Sequence, residues 1–173
     1  MLTDMTNIKE YETPLHFEKY KAEIFGSGKC VGLAEVRFGK DKYYFDSSGH
    51  TGIRDYLARD RRAGINESVC KLLAVLRKVS ESVLAASDWL VFTDDVSMSP
   101  EMLWICKNDG KIKLLPGCGK ECLIEGLCSL AEAFPECGGD MVSEKIIEKN
   151  MEANLSIRDL LAFLSEWELE LKS

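Results

Sequence analysis

Two stretches place glycine and lysine as a phosphate-binding loop would, Gly26-Ser27-Gly28-Lys29 and Gly117-Cys118-Gly119-Lys120. A P-loop also needs a glycine five positions before its Gly-Lys pair and a Ser or Thr after the lysine. The first stretch has Glu23 and Cys30 at those positions, and the second has Leu114 and Glu121. Both fail the pattern, and a helix stop and a loop account for them. Cys118, Cys122, Cys128 and Cys137 form the second chemical cluster. Zinc sites commonly use two close cysteine pairs. Here Cys118 and Cys122 could make one, but Cys128 and Cys137 are too far apart to mirror it, and no C-x-x-C redox pair occurs. Buried small hydrophobes are the plainer reading of these thiols. The histidines are His16 and His50. His50 lies near Asp46 and two serines, a pattern that turn formers explain more simply than a triad. Asp88, Asp94 and Asp95 lack the alternating oxygen ligands of a calcium loop and read as caps or solvated turns. Glu166, Glu168 and Glu170 read as a solvated helix face, with an exposed Trp167 among them as a modest hint of a partner site.

The stretch that must organise these groups is Ser97 to Gly117. Strands over Leu103–Cys106 and Lys111–Leu115 are joined by Asn108-Asp109-Gly110, residues that tolerate the positive φ of a tight turn. Before it, Ile8 and Tyr11 could supply an edge strand. Phe17, Tyr20, Ile24 and Phe25 give a helix over 16–25, stopped at Gly26-Ser27-Gly28. Gly32–Phe38 and Tyr43-Tyr44-Phe45 form an antiparallel hairpin. Thr51 caps a short helix carrying Ile53, Tyr56 and Leu57. Asn66 caps the longest helix, to about Ser87, with Val69, Leu72, Leu73, Leu76, Val79, Val83 and Leu84 as its buried stripe. The apolar connection from Asp88 to Asp95 packs under the hairpin. Helices then follow over 121–134 and 142–151, and a last one opens on a Ser156–Asp159 capping box.

At 173 residues, 46% hydrophobic and 29% charged, the chain fits one soluble α+β domain. The net charge of −7 argues against a general nucleic-acid or anionic-membrane binder, because phosphates repel an acidic surface. Arg59, Arg61 and Arg62 form the only short basic cluster. No apolar run approaches the ~20 residues that cross a bilayer. Seven cysteines without a secretory signal point to a reducing, cytoplasmic setting.

The central stretch resembles the catalytic-loop region of protein kinases, in which H-R-D-L-K-P-E-N leads through two strands to D-F-G. Ser99-Pro100-Glu101-Met102 lies over K-P-E-N, and Asp109-Gly110-Lys111-Ile112-Lys113-Leu114 over the strand approaching D-F-G. The long helix from Asn66 would pack beneath that loop, and Asp46 to Leu57 would cover the hinge and the next helix. Over roughly Tyr20 to Glu168, the pattern Glu35-Val36-Arg37, Tyr44-Phe45-Asp46-Ser47-Ser48-Gly49, Met98-Ser99-Pro100-Glu101 and Leu115-Pro116-Gly117 is similar to a pseudokinase-like N-terminal domain. That domain is found ahead of forkhead-associated domains in Gram-positive bacteria and is related to the cytosolic part of the EssB/YukC component of type VII secretion systems.

The resemblance implies a degenerate protein-kinase-like fold filling 1–173, with a reduced, strand-containing N-lobe-like part (1–46) packed on a mainly helical C-lobe-like part (47–173) around the hairpin at 103–115. It puts Ser97 at the catalytic Asp, Met102 at the magnesium-binding Asn and Pro116 at the D-F-G Asp. A thioether and a pyrrolidine ring cannot replace the oxygen ligands Mg²⁺ requires. The expectation is a non-catalytic interaction or scaffold domain with protein partners. No ATP, cofactor, metal or catalytic residue is expected, nor any nucleic acid or membrane insertion. The alternatives are an enzyme with an unrecognised pocket and a small domain stabilised by metal at Cys118 and Cys122.

Overall fold

The computed structural model describes residues 5–58, 64–120 and 122–173; the arginine cluster at 59–62 lies outside them. The architecture is α+β, with two three-stranded antiparallel sheets and six α-helices among these residues. The first sheet has the order β1 (Ile8–Glu12), β3 (Lys42–Asp46), β2 (Val36–Phe38), so β1 is the expected edge strand. Val36 lies opposite Phe45 and Phe38 opposite Tyr43. Alternation then sends Tyr43 and Phe45 inward and leaves Tyr44 on the other face. Helix α1 (Lys19–Ser27) begins three residues later than the spacing predicts, because His16 takes a positive φ of 60° and turns the chain first. Gly28 ends it in the left-handed conformation, as its sequence requires.

Three further elements differ from expectation. The segment expected as one strand over 32–38 divides in two. Residues 36–38 join the first sheet, whereas Leu33 bridges Leu114 in parallel and Ala34 N–H donates to the Leu114 carbonyl at 2.9 Å. Thr51 is not a helix cap: it sits in β4 (His50–Gly52), paired opposite Ile105. Helix α2 (Ile53–Ala58) follows directly. The second sheet is therefore β4, β5 (Trp104–Cys106) and β6 (Ile112–Lys113), one strand larger than a hairpin. Of the three turn residues, only Gly110 uses a positive φ.

Helix α3 (Ile65–Ser87) is the axis of the core. Gly64, rather than Asn66, stands at its N-cap. Its buried set includes Val75, Ser80 and Ser82 besides the predicted stripe, because it is covered on several sides, while Leu84 of that stripe is only half-buried. Ser82 Oγ donates to the Ile112 carbonyl at 2.6 Å, so a helix hydroxyl holds the end strand of the second sheet. Gly32 passes so close that a Cβ there would lie 2.9 Å from the Ser82 Cα. Only glycine lets the 32–34 segment lie against this helix.

Helices α4 (Leu123–Glu132), α5 (Gly139–Ala153) and α6 (Ile157–Lys172) complete the chain. Cys122 stands at the N-cap of α4, outside the helix in which it was expected. The capping box is present: Ser156 Oγ accepts from Asp159 N at 3.1 Å, and an Asp159 carboxylate oxygen accepts from Ser156 N at 3.2 Å. The solvated acidic face is corrected at Glu168, which is buried and accepts from Arg77 Nε at 2.9 Å. Trp167 is also inside, at 5% exposure, because α6 lies along α3 and turns this edge inward. Among the described residues no helix is long and apolar enough to cross a membrane.

Replacing Arg77 with Ala strips the buried Glu168 of its closest cation, leaving Lys172 at 3.7 Å. Because Arg77 is partly exposed, the expected cost is about 2–3 kcal/mol, below the range for fully buried pairs. Urea titration of the variant beside wild type measures it.

Candidate functional site

The central hairpin meets the first sheet through aromatic rings. Phe25, Phe17, Phe38, Tyr43 and Tyr11 form a chain in which successive ring centroids lie 5.4–6.0 Å apart. Phe45, inward like Tyr43 on β3, makes a separate set of contacts across the gap, with Trp104 of β5 at 5.7 Å and an edge contact to His50 at 5.1 Å. Lys9 Nζ lies 5.9 Å from the Trp104 ring, a cation–π distance. At the end of the seam, the Tyr43 hydroxyl donates to the Pro116 carbonyl at 2.7 Å. Burial pushes the Tyr43 phenol well above its ordinary pKa, with the neighbouring Tyr11 adding to the shift. The group is thus a neutral donor at physiological pH.

The three positions that the kinase resemblance singles out lie around this junction, each held by hydrogen bonds that involve the main chain. Ser97 N–H donates to Leu115 O at 2.9 Å, Met102 N–H to Ser99 O at 2.9 Å, and Pro116 O receives Tyr43. Val96 and Pro116 bridge antiparallel. Gly119 follows, and a Cβ there would run into the carbonyl oxygens of Thr93 and Val96. The connection from Asp88 to Asp95 therefore packs against the segment after the hairpin. Only Val91 of its four large apolar residues is fully buried; Leu90 and Phe92 are exposed.

A cleft of about 240 Å³ opens here, lined by Ser97, Ser99, Pro100, Cys118, Lys120 and Ser129. Of its hydroxyls, that of Ser99 is engaged by a carboxylate. Ser99 Oγ donates to Glu101 at 2.6 Å, and Arg54 grips the same carboxylate at 2.7 Å. The Ser99 hydroxyl first and Arg54 second hold the Glu101 carboxyl below its usual range. A carboxylate stabilised in this way is a poor base for abstracting a serine proton. Asp109, at the hairpin turn, is likewise committed. Burial opposes its ionisation, but Lys111 N–H at 2.9 Å and Lys113 Nζ at 3.0 Å outweigh it and hold its pKa low.

The remaining candidates are not brought together. Asp46 accepts from Ser48 N–H at 2.9 Å, while His50 Nδ1 lies 2.8 Å from the Ser48 carbonyl. A carbonyl only accepts, so that nitrogen carries the proton and the pair is a turn rather than a relay. Asp95 binds Lys21 at 2.8 Å and receives Phe92 N–H, whereas Asp88 and Asp94 are exposed. Cys118 and Cys122 are exposed, but Cys128 and Cys137 are turned into the core, with Cys128 Sγ 3.8 Å from Ser143 O. Among the described residues no three His, Cys, Asp or Glu side chains are grouped to hold a metal ion. The aromatic seam was missed from sequence. Its signal was the alternation of Tyr43 and Phe45 about Tyr44, readable only once β3 was known to be the middle strand.

Substituting Phe at Tyr43 removes the tether to Pro116, at an expected cost of about 1–2 kcal/mol. The folded pKa of Tyr43 is raised, so its contribution is complete below about pH 10 and is lost above it, as the unfolded phenol ionises and the folded one does not. Stability measured from pH 8 to 11 should therefore fall less steeply for Tyr43→Phe than for wild type. Burial also pushes the thiols of Cys70, Cys128 and Cys137 up. A thiol reagent should accordingly label Cys118 and Cys122 in the native protein and these three only on unfolding; peptide mapping after timed labelling tests this.

Compared with protein-family models, with curated proteins and with solved structures, the chain matches none.

Proposed function

We propose that this chain is a non-catalytic, kinase-shaped interaction or scaffold domain. In this reading it works in the cytoplasm through protein contacts, within a type VII secretion-like or signalling assembly. The order of elements supports the shape. A small sheet with one helix stands before a short connection, a long buried helix, a strand pair and further helices. The segment after α1 binds β6 and lies on α3, tying the strand-rich part to the helical part.

The observation that carries the non-catalytic reading is the side-chain chemistry at the three positions the resemblance singles out. Phosphoryl transfer requires nucleotide and metal between a glycine-rich loop on the sheet and oxygen ligands beside the hairpin. Tyr43, Phe45 and Trp104 occupy part of the contact between sheet and hairpin, beside a cleft of about 410 Å³ lined by Phe45, Asp46, His50 and Lys113. On the resemblance, Ser97, Met102 and Pro116 fall at the positions of an acid, an amide and an acid, and two of the three offer no hard oxygen ligand from the side chain.

A thermal-shift titration with ATP and Mg²⁺ tests the proposal. A ligand present at a hundred times its Kd adds about 2.7 kcal/mol, or about 5–10 °C in a domain of this size. No shift is expected at about 1 mM ATP, a hundredfold excess over a Kd of about 10 μM, with Mg²⁺ in excess over the nucleotide. A rise of several degrees that depends on Mg²⁺ would contradict the reading.

A further inference from the structure

Helices α5 and α6 enclose a groove of about 270 Å³ that shares no lining residue with the hairpin cleft. Helix α5 packs chiefly on α4 and α6 chiefly on α3, so the two meet mainly through side chains. The floor is aromatic: Phe163 and Trp167 of α6 lie one turn apart, with ring centroids 5.7 Å apart. From α5, Lys145 Nζ lies 4.6 Å from the Trp167 ring and Lys149 Nζ 5.8 Å from the Phe163 ring. Their aliphatic stems extend the apolar surface and their charges are already placed over ring faces. The rest of the lining is acidic: Glu148 and Glu152 from α5, Glu166 and Glu170 from α6.

The charge order is unfavourable for the isolated chain. Glu148 and Glu152 are four apart on one helix, as are Glu166 and Glu170, and like charges at that spacing repel. The groove carries four carboxylates against two ammonium groups already set over rings, in a chain of net charge −7. Cations arriving from outside would relieve both rows at once while an apolar side chain covers Phe163.

We propose that this groove docks a basic amphipathic helix of a partner protein, its apolar stripe on Phe163 and the lysine stems, and its Lys and Arg residues against the two glutamate rows. A second copy of this chain is a poor occupant, because a two-fold contact sets glutamate rows against glutamate rows. The surface would serve the interaction role proposed above, but the argument for it rests on the groove alone and holds whether or not the domain is kinase-shaped.

The probe is a fluorescein-labelled helical peptide with leucines at i, i+3, i+4 and i+7 flanked by Lys and Arg, read by anisotropy at low salt. Saturable binding is expected, at least tenfold weaker for Glu166→Lys/Glu170→Lys, and at least tenfold weaker for a peptide with Glu in place of Lys and Arg. Exposed glutamates outside the groove's lining supply the control, Glu23→Lys/Glu125→Lys, which makes the same change in net charge. It should bind within about twofold of wild type when the titration is repeated at about 0.15 M salt, where the Debye length is about 8 Å. Equal weakening by the groove and control variants would reduce the effect to overall charge and overturn the site, as would the absence of binding. Light scattering separates the remaining occupant: a dimer that Glu166→Lys/Glu170→Lys dissolves would overturn the partner in favour of self-association. Circular dichroism of each variant shows whether it is folded. None of these outcomes bears on the ATP titration, so the groove and the non-catalytic reading can fail separately.

Discussion

The junction between the first sheet and the hairpin depends on one constraint: a buried phenol must find an acceptor. Tyr43 is fully buried, and an unpaired hydroxyl there would cost on the order of 1–3 kcal/mol. The Pro116 carbonyl, seventy-three residues away in the chain, meets that need. To reach it, β3 must be the middle strand with Tyr43 facing in, and the hairpin must end where Val96 and Pro116 bridge. The rings of Phe38 and Tyr11 pack against Tyr43, and the bond itself is buried.

Helix α3 meets the same problem from the other side. A helix buried on several faces cannot leave hydroxyls unpaired, and Ser80 and Ser82 both find carbonyls, the first in its own helix and the second on β6. The Ser82 bond and the close passage of Gly32 place the second sheet and the 32–34 segment on the same helix. The two sheets share no strand, yet the second lies on this helix and so does the segment that leads into the first.

Periodic signals were the legible part of the sequence. The stripe of α3, the capping box of α6, the glycine stop after α1 and the β2–β3 pairing all arise from local geometry, and all stand close to where spacing puts them. Thr51 misled because a threonine before an apolar pattern suits a cap as well as a strand, and only the non-local partner Ile105 decides. Trp167 and Glu168 misled because a glutamate-rich helix end reads as solvated until the cation at Arg77, ninety-one residues earlier, is brought beside it. The same limit hid the site geometry. Asp46 and His50 are close in sequence, but a shared turn at Ser48 uses both.

Ser97 is held through both its amide hydrogen and its hydroxyl, which accepts from Ser99 N–H at 3.2 Å, whereas the tethers at Met102 and Pro116 act through the main chain, an amide hydrogen and a carbonyl oxygen. Such main-chain bonds recognise the path of the backbone and are indifferent to the side chain it carries. At Met102 and Pro116 the loop can exchange one side chain for another without moving. Architecture and chemistry are then written in separate parts of the same residues, and the second can be erased while the first persists.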